Sequence, residues 1–152
     1  MGTRARRKHT YDYPRPALAV DAALVTREAR PRVLLIQRAG EPFKGSWALP
    51  GGFVEEHERL IDAASRELKE ETGIDFTDLE QLYTAGDPGR DPRGWTVSVV
   101  YLARVAPEQL TAIAGDDAAA VKWFPLDKLP KLAFDHAMIL DRVKTRLADR
   151  AA

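Results

Sequence analysis

Residues 52–74 of the chain read GFVEEHERLIDAASRELKEETGI. The first part begins with glycine and is acidic, and the second part has the spacing of an amphipathic helix, which we expect from about Arg59 to Thr72. Gly73 follows directly and is a typical C-terminal stop for a helix. The apolar positions of this predicted helix recur three and four residues apart, at Leu60, Ile61, Ala64 and Leu68. The stretch therefore predicts a loop that leads into a helix with one buried face.

Three glutamates, Glu67, Glu70 and Glu71, lie at the end of the predicted helix. At 100° per residue they fall within an arc of roughly 100° beside the buried face. Like charges at this spacing destabilise a helix, and carboxylates near its C-terminus oppose the helix dipole. A hard divalent cation offsets both penalties, because Mg²⁺ takes oxygen ligands and shares them with phosphates. For Glu70 and Glu71 alone, the simpler interpretation is a solvated surface that Arg66 and Lys69 partly neutralise.

The residues before the helix decide between these interpretations, because with them the stretch resembles the Nudix box. That motif is G-x5-E-x7-R-E-U-x-E-E-x-G-U, in which U is apolar, and the chain matches every specified position. The matching residues are Gly52, Glu58, Arg66, Glu67, Leu68, Glu70, Glu71, Gly73 and Ile74. A chance match has a probability on the order of 10⁻¹⁰ per starting residue. By this resemblance the chain is identified as a member of the Nudix hydrolase family.

The resemblance implies a fold and a set of residue roles. The fold is of the α/β (α+β) class, a mixed β-sheet sandwiched between helices, with the box forming loop, helix and loop. The residues implied to bind the divalent cation, Mg²⁺ or Mn²⁺, are Gly52 through its carbonyl, Glu67, Glu70 and Glu71. Glu58 and Arg66 are implied to orient this set, Arg66 through ion pairs with the glutamates.

The implied reaction is the attack of water on one phosphorus of a diphosphate, with a nucleoside phosphate as leaving group. A carboxylate must accept the proton of that water within hydrogen-bond reach. In some relatives a helix glutamate has this role, here Glu67 or Glu70. In others it belongs to an acidic residue of a later loop, here Asp116 or Asp117. An ordinary turn is the alternative interpretation of these two aspartates.

The chain departs from many relatives at His57, where they carry glycine. If the backbone has a positive φ at this position, histidine is tolerated better than most residues but worse than glycine. We interpret His57 as a surface loop residue and not as a metal ligand.

Strands and helices interleave on both sides of the motif. Strands are predicted at Ala17–Val25, Arg32–Arg38, Thr96–Val105 and Val121–Phe124. Turn-rich loops are predicted at Gly40–Gly45 and Gly86–Gly94. A last helix is expected after Asp135 as its N-cap, with a buried stripe at Ile139, Leu140, Val143 and Leu147. This alternation indicates the α/β or α+β class and leaves the topology open.

Length and composition bound the remaining possibilities. The 152 residues are expected to form one domain, residues 1–152, with residues 1–10 as a flexible basic tail. The net charge of +0 gives no general attraction for nucleic acid or an anionic membrane, so neither is expected as a partner. No apolar core follows the basic start, which argues against a signal peptide. The absence of cysteine excludes disulfides and thiolate sites and fits a cytoplasmic protein.

Segments outside the box predict the substrate. Tyr11–Pro16, the Gly86–Gly94 loop and Phe134–His136 resemble the Nudix branch that contains microbial ADP-ribose pyrophosphatases. This resemblance implies hydrolysis of ADP-ribose to AMP and ribose 5-phosphate. Arg38 and Arg93 are candidates for diphosphate or ribose contacts, because arginine binds phosphate through paired hydrogen bonds. Surface ion pairs are the alternative role for both arginines.

Aromatic side chains give a further expectation about the substrate pocket. Trp95 follows Gly94 and is the candidate stacking surface for the base. Phe43 and Trp47 are expected to pack in the core or a loop. His136 is expected to belong to the structure of the helix start and not to the chemistry.

The sequence leaves two rival functions open. A nucleotide-sanitising hydrolase of nucleoside triphosphates shares the box and differs only in the pocket outside the helix. A regulator is the other class, because some transcription factors of NAD metabolism carry a Nudix-like domain that binds ADP-ribose without efficient hydrolysis. The intact glutamates favour catalysis, and a chain that ends at Ala152 is not expected to contain the additional DNA-binding region. A homodimer, common in the ADP-ribose branch, is the expected oligomeric state.

Overall fold

A mixed β-sheet of seven strands forms the centre of the fold in this computed structural model, which describes residues 8–109 and 118–151. The strands are β1 (Ala17–Thr26), β2 (Arg32–Arg38), β3 (Trp47–Ala48), β4 (Gly51–Phe53), β5 (Glu80–Ala85), β6 (Thr96–Val105) and β7 (Ala118–Pro125). The helices of the described residues are α1 (Leu60–Thr72), α2 (His136–Ala151) and a short 3-10 helix at Pro107–Gln109.

The central strand of the sheet is β1. It pairs in parallel with β6 over its whole length, from Ala17 opposite Thr96 to Thr26 opposite Val105. The other strand pairs are antiparallel, so the sheet is mixed. The order is β3-β2-β1-β6-β5, with β4 paired to β1 and β7 paired to β2.

Both faces of the central strands are buried, because a helix covers each face. On one face, Ala63, Ala64 and Leu68 of α1 join a core that contains Val20, Leu24, Val99 and Tyr101. On the other, Ile139, Leu140 and Val143 of α2 join a core that contains Ala23, Val25, Val100 and Leu102. A buried leucine contributes roughly 1.5–3 kcal/mol to folding, so these two apolar layers hold the helices against the sheet. The predicted sheet between helices and the predicted α/β (α+β) class are confirmed.

The predicted central helix is present. It begins at Leu60, one residue after the expected start, and ends at Thr72. Gly73 adopts the left-handed conformation with φ 75° and donates its backbone N–H to the carbonyl of Lys69. His57 also has a positive φ, 62°, and its side chain is highly exposed, which confirms its interpretation as a surface loop residue.

The sheet divides beside β1, and this division makes room for a cleft. Near its start β1 pairs with β4, with Asp21 opposite Gly51. At its end β1 pairs with β2, with Val25 opposite Val33. Because one edge of β1 changes partner between these points, side chains from both faces of the sheet meet in the gap.

Several elements differ from the sequence-based expectation. β3, β4 and β5 were not predicted, and β7 begins at Ala118, three residues before the predicted start. The predicted side-chain cap of α2 is wrong, because the Asp135 carboxylate accepts two hydrogen bonds from Arg90, at 2.9 and 2.7 Å. A buried guanidinium competes successfully for this carboxylate, since charge-assisted paired hydrogen bonds are stronger than a neutral cap.

Two predicted features concern residues that the structure describes only in part or not at all. Asp116, Asp117 and the first seven residues of the predicted tail lie outside them, while residues 8–10 are exposed. Among the helices that the structure describes, none is long and apolar enough to cross a membrane.

Candidate active site

The gap beside β1 opens into a cleft of about 280 Å³. Strands β1, β2, β4 and β6 line it together with α1, the loop before β6 and the start of α2. The charged side chains in its lining are Asp21, Arg38, Glu67, Glu71, Arg90, Asp91 and Arg93. The cleft therefore has acidic groups on α1 and arginines on β2 and the loop before β6.

Arg66 connects three glutamates of the motif through its guanidinium. Its guanidinium donates to both carboxylate oxygens of Glu58, at 2.7 and 2.9 Å, and to Glu67 at 2.8 Å. It also contacts Glu70 at 3.3 Å and the Phe53 carbonyl at 3.1 Å. The hydrogen bond to Glu58 contributes most to a raised pKa of Arg66, and the same contact lowers the pKa of Glu58. The expected ion pairs of Arg66 with the glutamates are thus present.

Glu71 is the most unusual carboxylate of the cleft. Its Oε2 atom is buried and has no hydrogen-bond partner within the described residues. Burial, followed by the charge of Glu67, raises the pKa of Glu71 to about 8. A buried acceptor without a partner costs roughly 1–3 kcal/mol, so such a group in a cleft calls for an ion or a ligand.

The three glutamates of α1 do not point in the same direction. Glu67 and Glu71 line the cleft, and burial raises the pKa of Glu67 although Arg66 opposes this effect. Glu70 is not part of the lining, and more than half of its side chain is exposed beside Arg66. In residues 8–109 and 118–151, no three acidic or histidine side chains are gathered tightly enough to enclose a metal ion.

The backbone of β4 closely approaches the α1 carboxylates. A Cβ atom at Gly52 would lie 2.5 Å from the carboxyl carbon of Glu67, so only glycine fits without displacing that side chain. The backbone of the neighbouring Gly51 lies close enough to Glu71 to favour its ionised form, which partly offsets the effect of burial on the pKa of Glu71. Together these contacts bring the backbone of β4 close to two carboxylates, and carboxylate oxygens are donors that Mg²⁺ and Mn²⁺ prefer. The residues present therefore fit a divalent cation.

The lining of the cleft also contains the predicted arginines. Arg38 donates from Nε to the Pro42 carbonyl at 2.7 Å, and burial together with the charge of Arg93 lowers the pKa of Arg38. Arg93 forms paired hydrogen bonds with Asp91, whose side chain is buried. Burial opposes ionisation of Asp91, but the bonds from Arg93 outweigh it and hold the pKa of Asp91 below its ordinary value. Both predicted arginines therefore lie in the cleft.

The predicted stacking residue Trp95 is exposed, as expected, with 54% of its surface accessible. It is absent from the described lining of the cleft, although the next residue, Thr96, belongs to it. Its role in binding a base stays a prediction. Trp47 packs edge-on against Phe124 with ring centres 4.7 Å apart, in line with its expected packing role.

A buried polar group that the sequence did not assign lies at the back of the cleft. Asp21 accepts a short hydrogen bond from Ser98 at 2.5 Å, and His136 Nε2 lies 3.8 Å from the same carboxylate. Burial lowers the pKa of His136, so its imidazole is neutral near pH 7. The one signal in the sequence was Asp21 itself, a charged residue within an apolar strand. Its partners lie 77 residues or more away in the chain, which local spacing does not reveal.

Comparison with known proteins gives consistent matches over most of the chain. The family model described as "NUDIX domain" matches residues 15–143. The ADP-ribose pyrophosphatase of Methanocaldococcus jannaschii is 46% identical over 128 residues, which cover 84% of this chain and 73% of that protein.

Two further matches are a transcriptional repressor and the NUDIX domain of a protein complexed with ADP ribose. The ADPR responsive transcriptional repressor NtrR of Acinetobacter baylyi is 40% identical over 147 residues. This match covers 91% of the present chain but only 57% of the repressor. The structure of the NUDIX domain of Shewanella oneidensis NrtR complexed with ADP ribose superposes with a TM-score of 0.81 at 38% identity. That superposition covers 90% of this chain and 94% of that domain.

Proposed function

The chain belongs to the Nudix family, and from this membership we propose that it is a metal-dependent hydrolase of ADP-ribose. Water cleaves the pyrophosphate linkage, and AMP and ribose 5-phosphate are released. The observation that carries the proposal is the buried Glu71 oxygen, which has no hydrogen-bond partner among the described residues and belongs to a cleft that Arg38 and Arg93 also line. Carboxylates suit a cation and guanidiniums suit phosphate, so this lining would accept a divalent cation together with a diphosphate. The archaeal pyrophosphatase, at 46% identity, supports ADP-ribose as the substrate.

The metal would be held by Glu67, Glu70, Glu71 and the Gly52 carbonyl. When bound, Mg²⁺ or Mn²⁺ offsets the charge that develops on the phosphate oxygens and makes water more acidic. Glu67 and Glu71 already line the cleft. Glu70 contacts Arg66 at 3.3 Å and would have to leave that contact to join them.

The other residues of the site orient these groups and the substrate. Arg66, fixed by its paired bonds to Glu58, holds Glu67 in place. Arg38 and Arg93 bind the diphosphate and ribose. Trp95, at the rim next to Thr96, offers its exposed ring to the base.

The general base is either a helix glutamate, Glu67 or Glu70, or Asp117, which lies outside the described residues. Asp117 directly precedes Ala118, which pairs with the cleft residue Arg38. A comparison of Glu70→Gln with Asp117→Asn separates these roles. Loss of the base lowers kcat while the affinity for Mn²⁺ is unchanged, whereas loss of a metal ligand also weakens Mn²⁺ binding.

A second candidate function is an ADP-ribose sensor that binds without turnover. The 40% identity to the NtrR repressor favours it. The intact set of motif glutamates, with Glu67 and Glu71 in the cleft, favours catalysis instead.

The proposal extends to the domain organisation, location, partners and oligomeric state of the protein. Residues 1–152 form one domain with a basic tail, in the cytoplasm, and act on a small nucleotide without nucleic acid or membrane as partner. We propose a homodimer, because Tyr13, Leu18, Phe53 and Trp95 leave large apolar surfaces exposed near the start of β1. Sedimentation velocity would detect a dimer directly, and a monomer at micromolar concentration would contradict it.

The decisive test compares substrates under the same conditions. The protein is incubated with Mg²⁺ and either ADP-ribose or a panel of ordinary and oxidised nucleoside triphosphates, and the products are quantified. Metal-dependent release of AMP and ribose 5-phosphate from ADP-ribose supports the proposal. Selective cleavage of a triphosphate overturns the substrate and keeps the reaction class. Tight binding of ADP-ribose with no turnover of any substrate favours the sensor.

A further inference from the structure

Two aromatic residues that are far apart in the chain adopt a strained backbone conformation and touch each other at the cleft. Phe43 has φ 61° and Phe134 has φ 51°, both in the left-handed region that non-glycine residues rarely occupy. Their rings meet edge to face with centres 4.9 Å apart. Strain of this kind is unfavourable, and it persists only where the surrounding structure requires it. Two such residues in contact indicate a shared role.

The ring of Phe134 contacts two of the three arginines that line the cleft. The guanidinium carbon of Arg38 lies 4.9 Å from the ring centre, and that of Arg93 lies 5.3 Å from it. Arg93 is also 5.1 Å from the ring centre of Phe53. A cation over an aromatic ring is attracted by the partial negative charge of the ring face. The Phe134 ring attracts two guanidiniums in this way.

The two guanidiniums repel each other, and the attraction to the ring partly offsets that repulsion. Each guanidinium also donates a hydrogen bond to the protein, Arg38 to the Pro42 carbonyl and Arg93 to the Asp91 carboxylate. The Phe43 ring packs against the edge of Phe134 and limits its movement. These contacts restrain both arginines before a ligand arrives, which reduces the entropy that the arginines lose on binding.

We propose that Phe134, supported by Phe43, is a positioning residue that holds Arg38 and Arg93 as one clamp for the diphosphate of the substrate. This inference rests on the proposed function in that it takes the diphosphate of ADP-ribose as the ligand. Phe134 acts through the arginines, so its removal weakens binding and leaves the chemical step unchanged.

The test uses residues that, like phenylalanine, are strained at the positive φ of position 134, so that the backbone strain stays similar. Phe134→Leu retains apolar volume and removes the ring, whereas Phe134→Tyr retains the ring. Phe124→Leu is the matched control, because Phe124 also has a cation over its face, Lys122 at 5.3 Å, and an edge-on aromatic neighbour, but it lies outside the cleft lining. Phe134→Asn, which tolerates a left-handed backbone, replaces Phe134→Leu if that variant does not fold.

Binding and turnover are measured separately. Calorimetric titration with ADP-ribose in EDTA gives Kd without hydrolysis, and steady-state assays with Mg²⁺ give kcat and KM. We expect Phe134→Leu to raise Kd and KM about tenfold, with kcat within about twofold of wild type. Phe134→Tyr and Phe124→Leu remain close to wild type.

A double-mutant cycle shows whether the ring acts through the arginines. In an Arg38→Ala/Arg93→Ala background, Phe134→Leu should cause no further loss of affinity. An equal loss in that background means that the ring contacts the ligand directly and overturns the positioning role. Unchanged Kd and KM in Phe134→Leu also overturn it.

Failure of the proposed function gives a different result. If the wild type binds ADP-ribose but does not hydrolyse it, the comparison of Kd values still decides the role of Phe134. If the wild type does neither, inorganic pyrophosphate is the probe, and equal affinity of wild type and Phe134→Leu for pyrophosphate contradicts the clamp.

Discussion

The backbone N–H of Leu49 donates a hydrogen bond of 3.0 Å to Nδ1 of His136, 87 residues later in the chain. Since Nδ1 is the acceptor, the proton of the neutral imidazole resides on Nε2, which lies 3.8 Å from the Asp21 carboxylate. This single buried ring therefore links the segment before β4, the start of α2 and the central strand β1.

The free energy of unfolding should depend on pH through His136. Burial lowers the pKa of His136 below its ordinary value of 6.5, so as the pH falls the unfolded chain takes up this proton before the folded chain does. The stability that the neutral ring contributes is present above about pH 6.5 and is lost as the pH falls below it. His136→Asn keeps an acceptor for the Leu49 N–H and cannot titrate.

Thermal unfolding of wild type and His136→Asn between about pH 5 and pH 8 measures this dependence. We expect the melting temperature of the wild type to fall more steeply below about pH 6.5 than that of the variant. His57→Asn, at a highly exposed position, is the control and should keep the steep profile of the wild type. Parallel profiles for wild type and His136→Asn would show that His136 titrates normally.

Gly52→Ala should disturb the site at a single carboxylate. The added methyl group would lie 2.5 Å from the carboxyl carbon of Glu67, so the Glu67 side chain must move. We expect a decrease of kcat for ADP-ribose of about tenfold or more, by analogy with other displaced site groups. Gly40→Ala is the control, because a Cβ atom at Gly40 meets nothing within 4 Å. Equal activities of the two variants would mean that the position of Glu67 does not matter.

Arg66→Lys should destabilise the fold although it conserves the charge. Lysine cannot reproduce the paired bonds to Glu58 together with the bond to Glu67, and these contacts are only partly exposed. We expect a loss of about 1–3 kcal/mol in the free energy of unfolding, measured by urea denaturation. Arg30→Lys, in the exposed pair with Asp127, should give no measurable change. Similar losses in both variants would indicate a general intolerance of lysine and not a role of the Arg66 network.

The sequence was sufficient to predict the elements that carry strong local signals. The limits of β2 and β6 and the C-terminal end of α1 agree with expectation, because apolar runs and the Gly73 stop are local features. β4 and β5 were missed for physical reasons. β4 has only three residues, of which two are glycine, and β5 begins with Glu80 and Gln81. Such strands form because a neighbouring strand is already in place, which intrinsic preference does not indicate.

The candidate site shows the same division between local and distant features. Arg66 and its glutamates share one helix and one loop, so the motif was enough to predict their contacts. The contacts of Asp21 with Ser98, and of Phe134 with Arg38, join residues that are far apart in the chain. They result from the register of β1 with β6 and from the placement of α2, which the strand pattern left open. The sequence therefore predicted the contacts of the α1 glutamates better than the contacts of the other residues that line the cleft.

Glu71→Gln tests the central claim most directly, when kcat for ADP-ribose hydrolysis with Mg²⁺ is measured beside the wild type. Glu56→Gln, which lies in the same motif at an unspecified and exposed position, is the control. We expect Glu71→Gln to lose activity by about a hundredfold or more, and to lose the rise in melting temperature that Mn²⁺ gives the wild type, while Glu56→Gln keeps both. Wild-type activity and an unchanged Mn²⁺ response in Glu71→Gln would contradict the assignment of this cleft as the metal-dependent active site.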